Sequence, residues 1–222
     1  MTGYWIAYNN THATTPRHHL GPTPYAEGMS ADPPPTQARA GRPKASSRET
    51  LAEAAVELFL EQGYEATSIA DIARRAGVSR SSFFNYFPAK GDVLWGALDE
   101  RLGAAAAALS AADARSTGEI LLAIADTFAP DNLALAIAHA DAMGIGADLE
   151  RERAARQLAL ARAVSGRALR GGARALEAGV VGAAYAGAVF SAVWCWADDE
   201  PGRTALVELL ARALKSAERV DT

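Results

Sequence analysis

The side chains best suited to catalysis or metal binding are few and scattered along the chain. There is one cysteine, Cys195, and three of the four histidines fall within the first twenty residues, leaving His139 alone. The sequence contains no cysteine and histidine spacing typical of zinc sites, no phosphate-binding glycine loop and no Gly-x-Ser-x-Gly motif. His139 and Asp141 are two residues apart on a helical segment, so they point to different faces and form no catalytic pair. The sequence therefore predicts a protein that is not an enzyme and that uses no metal or cofactor.

The chemistry that the sequence does favour is the binding of an anion by a local group of positive charges. The formal net charge is -4, so the chain as a whole gives no sign of nucleic-acid binding. Residues 72–90, in contrast, contain no acid. The basic residues of this segment are Arg74, Arg75, Arg80 and Lys90. Short polar side chains between them are typical of a surface that contacts DNA.

A helix before this segment is predicted to provide its packing surface. Ser46 or Ser47 can cap the helix, and Gly63 can close it in the left-handed conformation. Its apolar residues recur at steps of three and four: Leu51, Ala54, Ala55, Leu58 and Phe59. Its acidic residues recur at every fourth position and predict a solvated face: Glu49, Glu53, Glu57 and Glu61.

Residues 67–90 have the pattern of a helix-turn-helix. Ser68 and Asp71 match a capping box at the start of a short helix, and Gly77 provides a tight turn. Ser79 can cap a second short helix, which Pro88 ends. In such a unit the second helix enters the major groove of DNA. The alternative is a helical hairpin with a solvated basic face.

Residues 42–100 resemble the DNA-binding region of the TetR (tetracycline-repressor-like) family. The matching segments are GYEATS at 63–68, DIA at 71–73, AGVS at 76–79, YFP at 86–88, and Lys90. The resemblance implies base-edge contacts by Arg80, Ser81, Ser82 and Asn85. It implies phosphate contacts by Thr67, Ser68, Tyr86 and Lys90, the last at the start of a fourth helix. Phe84 replaces a frequent tyrosine and is expected to contact a thymine methyl, while Arg42 and Lys44 lie along the backbone or reach the minor groove.

The rest of the chain is alanine-rich and helical in pattern. Helices are predicted from about residue 90, and at about 117–128, 131–143, 148–170, 174–197 and 202–218. Together with the first three they give an all-α fold of about nine helices. The predicted domains are a disordered, proline-rich leader at 1–41, a helix-turn-helix DNA-binding domain at 42–90, and an effector-binding and dimerisation domain at 91–222. Either Met1 or Met29 is the natural start.

The second domain is expected to dimerise and to bind a small molecule. Its last two helices carry apolar stripes suited to a homodimer interface: Val180, Val181, Ala184, Ala188, Val189, Ala192, Val193 and Trp196 on the first, and Leu206, Leu209, Leu210, Ala213 and Leu214 on the second. The candidate ligand-binding residues, for each of which core packing is the alternative, are Trp95, Leu98, Leu102, Phe128, His139, Met143, Tyr185 and Phe190.

The predicted function is a cytoplasmic regulator of transcription that binds operator DNA. Residues 179–197 approach the length of a membrane span, but their small residues are typical of a packed core or interface helix. The resemblance implies a repressor that binds a palindromic operator as a dimer and is released by an effector of unknown identity, and the small residues of the second domain favour an apolar or mixed ligand. An activator of the same fold, or a helical interaction module without DNA binding, remains an alternative.

Overall fold

The computed structural model describes residues 44–112, 114–126, 131–198 and 204–219. The predicted leader, Arg42 and Phe128 lie outside the described residues. The described ranges form ten α-helices and no strand, which confirms the all-α prediction. The helices are α1 (Lys44–Gln62), α2 (Ile69–Arg75), α3 (Arg80–Phe84), α4 (Asp92–Ser110), α5 (Thr117–Leu122), α6 (Asn132–Ala138), α7 (Ala140–Met143), α8 (Gly146–Arg170), α9 (Ala175–Asp198) and α10 (Leu206–Glu218).

Helices α1 to α3 pack around apolar residues that were predicted from the periodicity. Leu51, Ala55 and Phe59 of α1 are fully buried, as are Ile72 of α2 and Phe83 of α3. Because α2 and α3 are only seven and five residues long, most of their stability comes from this packing rather than from intrinsic helix propensity. The order of three helices followed by a long fourth one is as predicted.

Two predicted helix boundaries differ from the structure at sites without a local sequence signal. The helix expected at 131–143 is divided at His139, whose backbone angles of φ -118° and ψ 24° separate α6 from α7. No glycine or proline lies near this break, so the periodicity did not indicate it. The helix expected at 117–128 ends at Leu122 and continues as a 3-10 turn, Ala123–Ala125.

The start of the fourth helix also differs from the prediction. Helix α4 begins at Asp92 rather than near Lys90. The Asp92 carboxylate accepts a hydrogen bond of 2.7 Å from the Ala89 backbone N–H, which closes a turn over the intervening residues. Lys90 therefore lies in this turn, and its position does not coincide with the helix N-terminus that was predicted to favour a phosphate.

Helix α9 is the central helix of the second half and packs against α6, α8 and α10. Gly182 permits close approach to α8, because a Cβ atom there would lie 2.5 Å from the Ala161 carbonyl oxygen. By length and composition α9 could cross a membrane, with a mean hydropathy of 1.6 over its most apolar 18 residues, but half of that window is buried in the chain. These contacts are those of a core helix, which was the interpretation favoured by its small residues.

Candidate nucleic-acid interface

The start of α2 is fixed by a reciprocal cap. The Ser68 hydroxyl accepts a hydrogen bond of 3.1 Å from the Asp71 backbone N–H, and the Asp71 carboxylate accepts one of 3.1 Å from the Ser68 N–H. Hydrogen bonds from the Ser68 hydroxyl and backbone, together with Arg74, lower the pKa of Asp71 to about 2. The predicted capping box is therefore confirmed, and it orients the first helix of the helix-turn-helix.

The basic residues of α2 have acidic partners that the sequence did not indicate. Arg75 donates to both carboxylate oxygens of Glu61, at 3.0 and 2.6 Å, and to Glu57 at 3.1 Å. Arg74 is paired with Asp71. Glu57 and Glu61 remain exposed, as the predicted solvated face requires, and their pairing with Arg75 also joins α2 to α1. Glu57 and Glu61 lie on α1 and Arg75 lies on α2, so this pairing can be recognised only in the folded structure.

Helix α3 separates a buried aromatic face from an exposed polar one. Phe83 is fully buried and its ring lies 5.6 Å from that of Phe87, which is also buried. Ser79 caps the helix, since its hydroxyl accepts a hydrogen bond of 3.2 Å from the Ser82 N–H. The residues predicted to reach base edges are exposed or half-buried: Arg80, Ser81, Phe84 and Asn85 are exposed, and Ser82 is half-buried.

Phe84 is the unusual member of this exposed face. Its side chain is 49% exposed, although a phenyl ring has no polar group to benefit from water. Its ring meets that of Phe83 edge-on at 5.6 Å, which holds it in a defined direction. An exposed ring next to Arg80 and Asn85 provides an apolar contact within a polar reading surface.

The residues predicted to contact DNA phosphates differ in how far their side chains are exposed. The side chains of Ser68 and Tyr86 are exposed and half-buried, respectively. Thr67, in contrast, is only 2% exposed, and its hydroxyl donates to the Gly63 carbonyl at 2.8 Å. The structure therefore does not support a phosphate contact by the Thr67 side chain. Lys44 is the first residue of α1, the helix that precedes the helix-turn-helix in sequence.

Lys90 has close partners within the chain. Its Nζ donates to the backbone carbonyls of Tyr64 at 2.6 Å and of Thr67 at 3.1 Å. The same nitrogen lies 3.9 Å from the centroid of the Tyr64 ring. These contacts were not predicted, because the partners are more than twenty residues away in sequence.

Most predicted ligand-binding side chains lie in the packed core. The buried ones are Trp95, Leu98, Leu102, Met143, Tyr185 and Phe190. His139 is exposed at the break between α6 and α7. A groove of about 400 Å³ opens instead between α4 and α5, and none of these described residues lines it. The role of these residues in ligand binding stays a prediction.

The α4–α5 groove has an apolar floor and charged walls. Its charged residues are Glu100, Arg101 and Arg115, and its other lining residues are alanines and isoleucines. Arg101 donates to the carbonyl oxygens of Ile124 and Asp126, which joins α4 to the 3-10 turn. Sequence periodicity did not reveal the groove because most of its apolar lining residues are alanines, which have no distinctive pattern.

The predicted dimerisation stripes are largely used inside the chain. Leu206, Leu210 and Leu214 of α10 are buried, as are Val189 and Val193 of α9. This is the alternative that the periodicity left open, since a buried stripe on a core helix and an interface stripe have the same spacing. Val180 of the predicted stripe is exposed, and small and apolar residues elsewhere on α9 are exposed as well: Leu176, Ala183, Ser191 and Cys195.

The fold and the exposed face of α3 define a helix-turn-helix protein. Residues 51–94 match the family model of the bacterial regulatory proteins of the tetR family. The chain is 32% identical over 81 residues to MftR of Mycobacterium tuberculosis, named as a regulator of mycofactocin biosynthesis transcription, and 35% identical over 95 residues to the HTH-type transcriptional repressor KstR2 of Rhodococcus jostii. These alignments cover 36% and 40% of this chain and 41% and 46% of the two relatives, so the chain spans less than half of the length of either.

The fold agrees with that of a solved repressor over nearly the whole length of the repressor. The crystal structure of NalD, the secondary repressor of the MexAB-OprM multidrug efflux pump in Pseudomonas aeruginosa, superposes with a TM-score of 0.54. The match covers 80% of this chain and 98% of NalD at 17% sequence identity. Residues 51–94 are thus similar to the tetR family of bacterial regulatory proteins, and the described residues share the fold of NalD.

Proposed function

We propose that this protein is a cytoplasmic transcriptional regulator that binds operator DNA through α2 and α3 as a dimer. The observation that carries the proposal is the exposed face of α3, where Arg80, Ser81, Phe84 and Asn85 lie outward while Phe83 is buried. Arginine and asparagine are the side chains that most often hydrogen-bond guanine and adenine in the major groove. A short capped helix that exposes both types has the arrangement required for sequence recognition.

Repression is the favoured mode of regulation. The relative KstR2 is named as a repressor, and its similarity to this chain is 35% identity over 95 residues. An activator of the same fold remains the alternative, since the reading helix would contact DNA in the same way in both.

Dimerisation follows from the small size of the reading surface. One five-residue recognition helix buries too little area for tight specific binding, so two copies would read half-sites about 34 Å apart. The exposed apolar face of α9, which includes Leu176 at 80% and Val180 at 46% exposure, favours the last two helices as the contact between copies. On α10, Val207 and Ala211 are exposed and extend this surface.

A small-molecule effector would act through α4, the helix that follows the reading unit. The α4–α5 groove of about 400 Å³ is within the usual size of a small-ligand site. Its alanine and isoleucine floor suits an apolar ligand, and a ligand there would displace α4 relative to α5. Movement of α4 would change the separation of the two reading helices in a dimer, and thus the affinity for a fixed operator.

A gel shift with DNA from the upstream region of the gene at increasing salt tests the proposal. A DNA-binding regulator gives a shift that depends on sequence and weakens steeply with salt, because phosphate contacts release counterions. A helical interaction module gives no such shift. Absence of a sequence-selective, salt-sensitive complex would contradict the proposed function and favour that alternative.

A further inference from the structure

We propose that Lys90 is a positioning residue that clamps the α1–α2 loop, and that its contribution to DNA binding comes from holding α2 rather than from neutralising a phosphate. The inference rests on the proposed function for its DNA-binding part, and the clamp itself is testable without DNA. It differs from the phosphate contact that the family resemblance implies for this position.

The Lys90 ammonium lies within hydrogen-bonding distance of two backbone carbonyls. An ammonium has three N–H donors. The carbonyls of Tyr64 and Thr67 accept two of them, at 2.6 and 3.1 Å, and the Tyr64 ring lies against the same nitrogen at 3.9 Å. Burial lowers the pKa of Lys90, with the nearby Glu65 carboxylate opposing the change. The charge is therefore partly withdrawn from water and directed toward its own chain.

The two carbonyls that bind Lys90 belong to the connection between α1 and α2. Tyr64 and Thr67 lie within the loop that connects α1 to α2, residues 63–68, and Thr67 directly precedes Ser68, the N-cap of α2. The Thr67 N–H donates to the Tyr64 carbonyl at 3.2 Å, and a cation bound to both carbonyls strengthens this turn between the end of α1 and the start of α2. Because the cap determines where α2 begins and how it is oriented, the clamp acts on α3 through α2.

The α1–α2 loop is also contacted by α1 and α7. The Tyr64 backbone N–H donates to the Met143 carbonyl at 2.8 Å, at the last residue of α7. The Tyr64 ring meets Phe59 of α1 edge-on at 5.0 Å. Tyr64 is thus contacted by α1, α7 and Lys90 together, and Lys90 is the member that can be removed without changing the apolar core.

Amide hydrogen exchange of the full-length protein without DNA tests the clamp directly. In Lys90→Met, which keeps an unbranched apolar stem and loses the ammonium, residues 63–68 should exchange about tenfold faster than in the wild type, since two charge-assisted hydrogen bonds are lost. Arg162→Met, which removes an exposed cation of α8, is the matched control and should leave this segment unchanged. Unchanged exchange of residues 63–68 in Lys90→Met would overturn the proposal.

A second variant protects the test against a general loss of folding. Lys90→Gln removes the charge and retains amide N–H donors that can still reach a carbonyl. The clamp predicts exchange between that of the wild type and that of Lys90→Met. If all amides of both variants exchange rapidly, the variants are unfolded and do not report on the clamp. Lys90→Arg then provides the test, because it keeps the charge. The clamp predicts that residues 63–68 of Lys90→Arg are protected nearly as well as in the wild type.

The salt dependence of DNA binding separates the two roles. Loss of a phosphate contact reduces the slope of log K against log salt concentration by about 0.9. The clamp predicts that Lys90→Met weakens operator binding at every salt concentration while the slope stays at the wild-type value. A slope reduced by about one unit with normal exchange of residues 63–68 would show a phosphate contact and contradict the proposal. If wild-type protein shows no salt-sensitive binding at all, the proposed function fails, and the exchange experiment still decides the clamp.

Discussion

The helix-turn-helix unit leaves one of its aromatic side chains exposed, whereas the helices that follow it bury three large ones. In α3, Phe84 is 49% exposed beside polar side chains. In α4 and α9, Trp95, Tyr185 and Phe190 are almost fully buried and form the core. The first region therefore has one aromatic ring on its surface, while these rings of the second region fill its interior. An exposed aromatic ring leaves apolar surface in water that a core ring does not, and the proposed contact of Phe84 with DNA would bury it.

The same contrast holds for the charges. On α2 and α3, Arg80 is exposed, whereas Arg75 is tied to Glu57 and Glu61 of α1. In the second half, Arg156 of α8 lies 4.2 Å from the centre of the Trp95 ring and donates to Asp99 of α4 at 2.6 and 2.8 Å. That guanidinium joins α8 to α4. Arg75 and Arg156 each join two helices, whereas Arg80 is exposed on the outer face of α3.

The largest effect is expected from the buried aromatic face of α3. Phe83→Ala should reduce the free energy of unfolding by about 3–5 kcal/mol, because it removes a fully buried ring and leaves a cavity. Phe84→Ala, one residue further along the same helix, should change it by less than about 1 kcal/mol. Chemical denaturation of the two variants measures the difference. Equal losses would contradict the separation of a buried and an exposed face.

The second half can be tested at the close contact between α8 and α9. Gly182→Ala should destabilise the protein by about 1–3 kcal/mol, since its Cβ would meet the Ala161 carbonyl and Ser165. Gly179→Ala is the matched control on the same helix, because nothing lies within 4 Å of its Cβ. The control should be neutral or stabilising by up to about 1 kcal/mol. Thermal or urea denaturation checks both, and a neutral Gly182→Ala would mean that α8 and α9 pack less closely than described.

A change on the exposed face of α3 should affect DNA and not stability. Arg80→Ala should cost about 1–3 kcal/mol of operator affinity and relax the preference at one or two base pairs, if its guanidinium reads a guanine. Its unfolding free energy should match that of the wild type, because the side chain is exposed. Binding titrations with the operator and with single-base variants provide the measurement. Loss of affinity without loss of preference would assign Arg80 to a phosphate instead.

The smallest effect is expected at the cap of α2 and depends on pH. The folded pKa of Asp71 is lowered to about 2, below its ordinary value of 3.8, so its contribution to stability is present above about pH 4 and is lost as the pH falls toward 2. The stability difference between wild type and Asp71→Asn should therefore be constant at neutral pH and shrink over this acidic range. Denaturation at a series of pH values measures it. A difference that does not depend on pH would contradict the cap as described.

The reading unit could be predicted in detail because its signals are local. Ser68, Asp71, Gly77 and Ser79 fix the helix ends within a few residues of themselves, and Gly77 has the positive φ of 70° that a tight turn needs. The roles of Thr67 and Lys90 could not be predicted in the same way. Thr67 is buried by the end of α1, and the partners of Lys90 are carbonyls that only the folded loop brings near it.

The second half was predicted as a set of helices but not as a site. The periodicity of α10 identified Leu210 and Leu214 as an apolar stripe without indicating whether α9 or a second copy covers it. The break at His139 has no glycine or proline, and the groove beside α4 has an alanine floor. These features depend on contacts between helices, and alanine-rich sequence restricts those contacts weakly.

Selection of bound DNA from a random pool with the full-length protein tests the central claim most directly. The account predicts enrichment of one palindromic sequence whose half-site centres are about 34 Å apart or a multiple of one helical turn. Pools that show no enriched sequence after repeated selection, while the protein remains folded, would contradict DNA recognition by α3.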